Sequence, residues 1–256
     1  MSEDQAVLTE VRGRVLVVTL NRPEARNAVN AELARGLAGA VERLDASDEL
    51  SVGVLTGAGR GFCAGMDLRA FVAGESPWVD GRGFAGIVEA PPRKPMIAAI
   101  EGFAVAGGLE VALACDLIVA AERATLGIPE VKRGLVAAGG ALLHLPRRIP
   151  YHVAMELALT GDPITAQRAA ELGIVNRLAR AGGAVDAAVE LAEAVAANGP
   201  LATAASKRIL VEAAGWGPDD EWRRQAEIAG PVMSSEDARE GVAAFAEKRD
   251  PVWKGR

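Results

Sequence analysis

Two glutamates, Glu110 and Glu130, stand beside backbone turns made of small or proline residues. Glu110 follows Gly107 and Gly108 in the segment Ala104-Val-Ala-Gly-Gly-Leu-Glu110, and Glu130 follows Gly127-Ile-Pro129. A third loop of the same character, Gly61-Phe-Cys-Ala-Gly-Met-Asp-Leu68, lies upstream. Small residues let a ligand approach the main chain closely. Two carboxyls converging on such a place can share general acid and base duties. Glu110 comes three residues after Gly107, about one helical turn, so its carboxyl can reach the same pocket as the Gly107 amide. That amide opens a helix expected from near Gly107 to Cys115, where free N–H groups and the helix dipole favour an anion. The apolar neighbours Leu109, Val111, Ala112 and Leu113 argue against a merely solvated Glu110. Two plainer uses stay open: tight helix packing for Gly107 and Gly108, and a surface ion pair of Glu130 with Lys132 or Arg133.

The elements that must position these groups alternate. Arg14 to Leu20 reads as a strand, paired with Val7 to Val11 across a turn at Arg12-Gly13. Asn30 can cap a helix in which Leu33, Leu37, Val41 and Leu44 recur at helical spacing. Ser51 to Thr56, Pro95 to Ile100 and Asp116 to Ala121 are further strand-like runs. The alternation predicts an α/β body with buried, parallel strands. From about residue 150 the pattern turns helical, over Thr165 to Leu172, Gly182 to Asn198, Leu201 to Ala214, Asp219 to Ala229 and Ser234 to Lys248, with Pro163, Pro200, Pro218 and Pro231 as punctuation. Residues 70 to 83 lack a period; a lid with Phe71 and Trp78 as apolar anchors and a plain surface loop both fit them.

Composition excludes several classes. The 256 residues suffice for a substantial core, and a net charge of −6 gives no global basic field for nucleic acid. Aromatics make up only 4%, so the core must be built from Ala, Val, Leu and Ile. Cys63 and Cys115 have neither metal nor disulfide spacing and read as reduced, packed thiols. The acidic start lacks the pattern of a signal peptide. The apolar stretch from Met96 to Ala121 carries Glu101, Glu110 and Asp116, too costly for a membrane span, so a cytoplasmic protein is expected. Gly57-Ala-Gly59-Arg-Gly61 lacks the last glycine of a dinucleotide loop, because position 62 is Phe. His144 and His152 have no plausible nucleophile or metal partner and suit surface or packing roles.

Taken together, Asn21-Arg-Pro-Glu-Ala-Arg-Asn-Ala28, Phe62-Cys-Ala-Gly-Met-Asp67, Lys94-Pro95, Gly107-Gly-Leu-Glu110, Cys115-Asp116 and Pro129-Glu130 resemble the enoyl-CoA hydratase/isomerase, or crotonase, family. The resemblance resumes at Leu159-Thr-Gly161 and Ala169-Ala-Glu-Leu-Gly173 and closes at Glu240 to Arg249, so it spans nearly the whole chain. It implies an α/β crotonase spiral of repeated ββα units over residues 1–195 and a helical oligomerisation region over 196–256, assembled as a homotrimer or a hexamer. It implies that the backbone N–H groups of Met66 and Gly107 stabilise an enolate oxygen, and that Glu110 and Glu130 handle one water. It also implies that Ala25, Arg26, Ala28, Ala64, Asp67 and Leu68 hold coenzyme A, with Phe245 and Lys248 reaching it from a neighbouring subunit; Arg22, Arg26 and Lys248 are available to offset phosphates.

Retention of both carboxyls points to hydration of a trans-2-enoyl-CoA thioester, with no metal or redox cofactor, since coenzyme A is part of the substrate. No membrane or nucleic-acid partner is implied. The rivals are a Δ3,Δ2-enoyl-CoA isomerase working with Glu130 alone, and a noncatalytic acyl-CoA- or RNA-binding relative. The stretch Gly134 to His144 departs from the usual hydratase run and resembles a subset that includes crotonobetainyl-CoA and steroid side-chain hydratases.

Overall fold

The computed structural model describes residues 5–256; the acidic start lies, for its first four residues, outside them. β1 (Val7–Arg12) and β2 (Val15–Leu20) form the expected antiparallel hairpin. Its turn needs Gly13, whose φ of 57° is left-handed. Helix α1 (Ala31–Ala46) starts where Asn30 accepts the Leu33 amide through its side chain. β3 (Val52–Gly57), β6 (Met96–Ile100), β8 (Leu117–Ala121) and β11 (Arg177–Ala179) complete a six-stranded sheet ordered β1-β2-β3-β6-β8-β11, parallel except for the β1 edge.

Period-two alternation sorts the strands' side chains onto two covered faces. Leu16, Val18, Leu20, Leu55 and Ile100 pack into one core with Leu33, Leu37, Val41 and Leu44 of α1. Val17, Val54, Ile97 and Val119 point the other way, onto Ala188, Val189 and Ala192 of helix α7 (Ala184–Ala196). Both faces being buried explains why these runs read as continuously apolar.

A second, smaller sheet carries the site. β7 (Phe103–Val105) runs parallel to β9 (Thr125–Gly127), which pairs antiparallel with β10 (Ile164–Thr165). The register sets Val105 opposite Gly127. Helix α3 (Gly107–Leu113) leaves the end of β7, and a 3₁₀ turn over Pro129–Arg133 leaves the end of β9, so Glu110 and Glu130 emerge from neighbouring strand ends.

Three regions differ from the expectations. Residues 70–83 are not without structure: a short helix α2 (Leu68–Val72) precedes a small hairpin of β4 (Trp78–Val79) and β5 (Gly83–Phe84), pinned by an edge-on Trp78–Phe84 contact. Helices α4 (Ala141–Arg148) and α5 (Tyr151–Thr160) were not anticipated, because α4 contains Pro146 and exposes Leu142 and Leu143, which blurs its period. Beyond α6 (Ala166–Glu171), α7 and α8 (Pro200–Glu212), α9 (Glu221–Met233) runs through Pro231 instead of ending before it. Near a helix end that proline removes only its own bond to the Glu227 carbonyl. Last comes α10 (Glu236–Glu247), capped by Ser235.

One side chain ties α8 to the sheet. Lys207 Nζ donates to the carbonyls of Pro92 and Lys94 and to Asp116 Oδ2, at 2.6, 3.0 and 2.6 Å. Asp116 in turn accepts the Met96 amide at the start of β6. Removing the cation leaves a mostly buried carboxylate unpaired. Lys207→Met is therefore expected to lower stability by about 3 kcal/mol, read as a reduced denaturant midpoint with unchanged slope at fixed protein concentration.

Candidate active site

Met66 and Gly107 each present a backbone N–H that donates to no group among the described residues. The cause at Met66 is a parallel bridge to Val29. Gly65 O accepts the Val29 amide and the Asp67 amide donates to Val29 O, so the intervening Met66 N–H faces the opposite side. Gly107 lies close to this loop: a Cβ built on Gly65 would stand 2.9 Å from the Gly107 nitrogen. Gly65 has φ +95°, so its lack of a side chain is required twice over.

At Gly107 the cause is a sharp turn between β7 and α3. Ala106 holds φ 53° and ψ −134°, a conformation nearly exclusive to glycine, and its amide is fixed to Gly127 O at 2.9 Å. Such strain costs about 1–3 kcal/mol and needs surroundings that enforce it. The chain can also start α3 this close to the third loop because Gly108 meets Cys63 O, 2.2 Å from where a Cβ would sit. Close packing and a free amide therefore coexist at Gly107-Gly108.

Glu110 is 4% exposed. Its Oε1 accepts the Ala141 amide at 3.2 Å, at the first turn of α4. Gly139 leaves no room beside it; a Cβ there would lie 2.5 Å from Glu110 Oε2. Burial pushes the Glu110 carboxyl up to about 7, against the pull of the Ala141 and Gly139 amides, and the Glu130 charge adds to the rise. The pairing of Val105 with Gly127 sets the two glutamates at neighbouring strand ends. Burial also raises Glu130, opposed by its own amide. Glu130 Oε2 is buried with no hydrogen-bond partner among the described residues. Among the described residues no ion pair holds Glu130, and Lys132 is bonded to Asp162 instead. Glu110 can thus take up and release a proton near neutral pH, and Glu130 is shifted in the same direction.

The other anticipated residues fall into two groups. Ala25, Arg26 and Ala28 are brought beside Ala64, Asp67 and Leu68, since Ala64 N donates to Arg26 O and Asp67 N to Val29 O. Those two amides are consequently occupied within the chain. Phe245 and Lys248 are not at the carboxyl pair; Phe245 is 88% exposed and lines a cavity of about 500 Å³ with Trp253 and Val242. Arg22 corrects an expectation: it does not stand free for phosphates but is bonded to Asp67 and to the Ala28 carbonyl. Two contributors were missed. Ala106 carries no sequence signal of strain. Asn27 does, as asparagine tolerates left-handed backbone (φ 55°), and its buried amide joins Arg22 N, Ala58 O and Gly61 O.

Comparison with known proteins gives the family and the fold. The profile of the enoyl-CoA hydratase/isomerase family matches residues 10–256. The enoyl-CoA hydratase EchA19 of Mycobacterium tuberculosis is 42% identical over 260 aligned residues, covering 97% of this chain and 96% of that protein. The carnitinyl-CoA dehydratase of Proteus mirabilis is 40% identical, covering 98% and 99%. The crystal structure of the enoyl-CoA hydratase EchA1 from Mycobacterium marinum superposes with a TM-score of 0.97 at 60% identity, covering 99% of this chain and all of that one. The architecture described above is accordingly the crotonase fold.

Glu110 also gives stability a sign with pH. Its carboxyl rises from 4.5 in the unfolded chain to about 7 when folded, so the folded state binds the proton more tightly. Stability should fall as pH rises from 4.5 through 7 and level off above, by on the order of 3 kcal/mol. Glu110→Gln should remove that fall. Denaturation of both proteins at pH 5 and pH 8 checks it: the variant gains on wild type at pH 8 and not at pH 5.

Proposed function

This chain belongs to the enoyl-CoA hydratase/isomerase family, and from that premise we propose that it adds water across the 2,3 double bond of a trans-2-enoyl-CoA to give a 3-hydroxyacyl-CoA. What supports the reading is the unpaired amides of Met66 and Gly107, a buried Glu110 carboxyl raised to about 7, and a Glu130 Oε2 buried without a partner among the described residues. The thioester oxygen lies against the Met66 and Gly107 N–H groups, which stabilise the negative charge it gains as an enolate forms. One water bridges the carboxyls and satisfies the orphaned Glu130 Oε2. Glu110 takes a proton from that water as its oxygen bonds to Cβ. The enolate collapses and Cα takes a proton from Glu130. Proton exchange within the pair then restores the starting state.

Coenzyme A lies along the joined loops of Ala25, Arg26 and Ala28 with Ala64, Asp67 and Leu68, with Arg26 offsetting phosphate charge. Phe245 and Lys248 reach its adenosine end from a second copy, within a homotrimer or a dimer of trimers. The apolar surface left on this chain supports assembly: Leu143, Tyr151, Leu159, Trp222, Met233 and Phe245 are all more than 60% exposed. The reaction as written uses protein groups and water, and no metal or redox cofactor is invoked. Among the described residues no helix is long and apolar enough to cross a membrane.

Loss of the conjugated-thioester absorbance of crotonyl-CoA measures turnover. Glu110→Gln and Glu130→Gln should each lower kcat about 10²–10⁴-fold. Near-wild-type hydration by both variants would remove the assigned roles, and an isomerase would tolerate Glu110→Gln while losing activity with Glu130→Gln. Because the base must be ionised, kcat/KM should rise with pH on an acid limb near pH 7, where Glu110 titrates. Sedimentation of the full chain at a monomer's mass would discard the assembly.

A further inference from the structure

The Gly65–Met66 peptide is held by an ion pair that touches no reacting atom. Arg22 Nη1 and Nη2 each lie 3.0 Å from Asp67 Oδ2, and Nη1 also donates to the Ala28 carbonyl. The Arg22 amide is fixed to Asn27 Oδ1 at 3.0 Å. The other Asp67 oxygen, Oδ1, accepts the amides of Arg69 and Ala70 and so starts α2. Both partners are largely buried, at 20% and 15% side-chain exposure. The guanidinium thus spans the two ends of the Val29–Met66 bridge: it grips Ala28 just before Val29 and Asp67 just after Met66.

That bridge decides which way the Met66 N–H points. Val29 bonds on both sides of Met66, to Gly65 O and from Asp67 N, and so holds the Met66 amide turned away from Val29. Slack in the bridge would let the peptide swing, and a misplacement of about 1 Å can cost about 10²-fold in rate. A lysine cannot replace the arginine here, since one ammonium lacks the planar fork that reaches a carbonyl and a carboxylate together.

We propose that Arg22 and Asp67 are positioning residues for hydration: their ion pair clamps the Val29–Met66 bridge and thereby aims the Met66 N–H at the thioester oxygen. The inference rests on the reading of Met66 N–H as an oxyanion donor. It gives Arg22 a task in place of phosphate binding.

The test uses the full chain with butyryl-CoA labelled with ¹³C at its carbonyl, a saturated thioester that cannot be hydrated. Its infrared carbonyl band reports how strongly the bound oxygen is polarised. In the wild type the band should lie below that of free butyryl-CoA. Asp67→Asn retains a side-chain oxygen to cap α2 but gives up the charge facing Arg22. In it the band should move back at least half way toward the free position. Its kcat for crotonyl-CoA should fall about 10- to 100-fold, within the loss expected for an impaired oxyanion donor, while KM changes less than threefold. Arg22→Lys should show a smaller shift of the same sign, and Arg22→Gln should match Asp67→Asn. A lowered wild-type band that Asp67→Asn and Arg22→Gln leave unmoved, with kcat intact, overturns the clamp and leaves the hydratase reading standing. A wild-type band equal to that of free butyryl-CoA overturns the oxyanion reading and the clamp with it. Should Asp67→Asn fail to fold, Arg22→Lys carries the same comparison.

Discussion

A buried carboxyl on Glu110 and a half-buried one on Glu130, with no ion pair to either among the described residues, set the terms for the rest of this structure. A guanidinium or ammonium at that place would hold both ionised and leave no proton to deliver. The basic residues near Glu130 in the chain are diverted: Lys132 to Asp162, and Arg133 to an exposed face. What offsets the charge is main chain alone, the amides of Ala141, Gly139 and Glu130 itself. Amides moderate a carboxylate without neutralising it, so burial still lifts Glu110 to about 7 and raises Glu130 as well. The cost is borne in stability, as is common where a site must be chemically poised.

Main-chain donors work only where the backbone comes close, and that explains where glycine and strain sit. Gly65, Gly108 and Gly139 each stand where a side chain would strike the site. Ala106 accepts a conformation that suits glycine because β7, β9 and the start of α3 leave the chain no other route. A slip of one residue between β7 and β9 would move Glu130 away from Glu110 and turn the following side chains to the opposite face. The large parallel sheet contributes a frame rigid enough to enforce this, packed on both sides by apolar residues.

Much of that frame was legible from residue pattern. The hairpin, the Asn30-capped helix and the parallel strands follow from alternation, capping and apolar runs, which are local signals. Glu110 and Glu130 were legible because a carboxyl among small and apolar neighbours has few ordinary explanations. What escaped depends on contacts between distant segments. α4 and α5 expose Leu143, Tyr151 and Leu159 to the outside of a single chain, so their apolar pattern does not mark one inward face. Arg22 looks in sequence like any surface cation near a ligand loop. Only the fold brings it 45 positions along the chain to Asp67, and that contact withdraws it from the phosphate role its type suggested.

The segment from Gly134 to His144, where this chain departs from the usual hydratase run, links two properties that are often considered apart. Its residues enter α4, whose first amide, on Ala141, bonds Glu110. Gly139 lies so close to the Glu110 carboxyl that any side chain there must displace it. Changes that reshape the space beside Glu110 therefore also shift an amide that restrains its protonation. Val136 and Ala138 are exposed and make no bond to the carboxyl, so their side chains can change without disturbing it. At Gly139 and Ala141 the chain has no such freedom, because one lies against the Glu110 carboxyl and the other donates its amide to it.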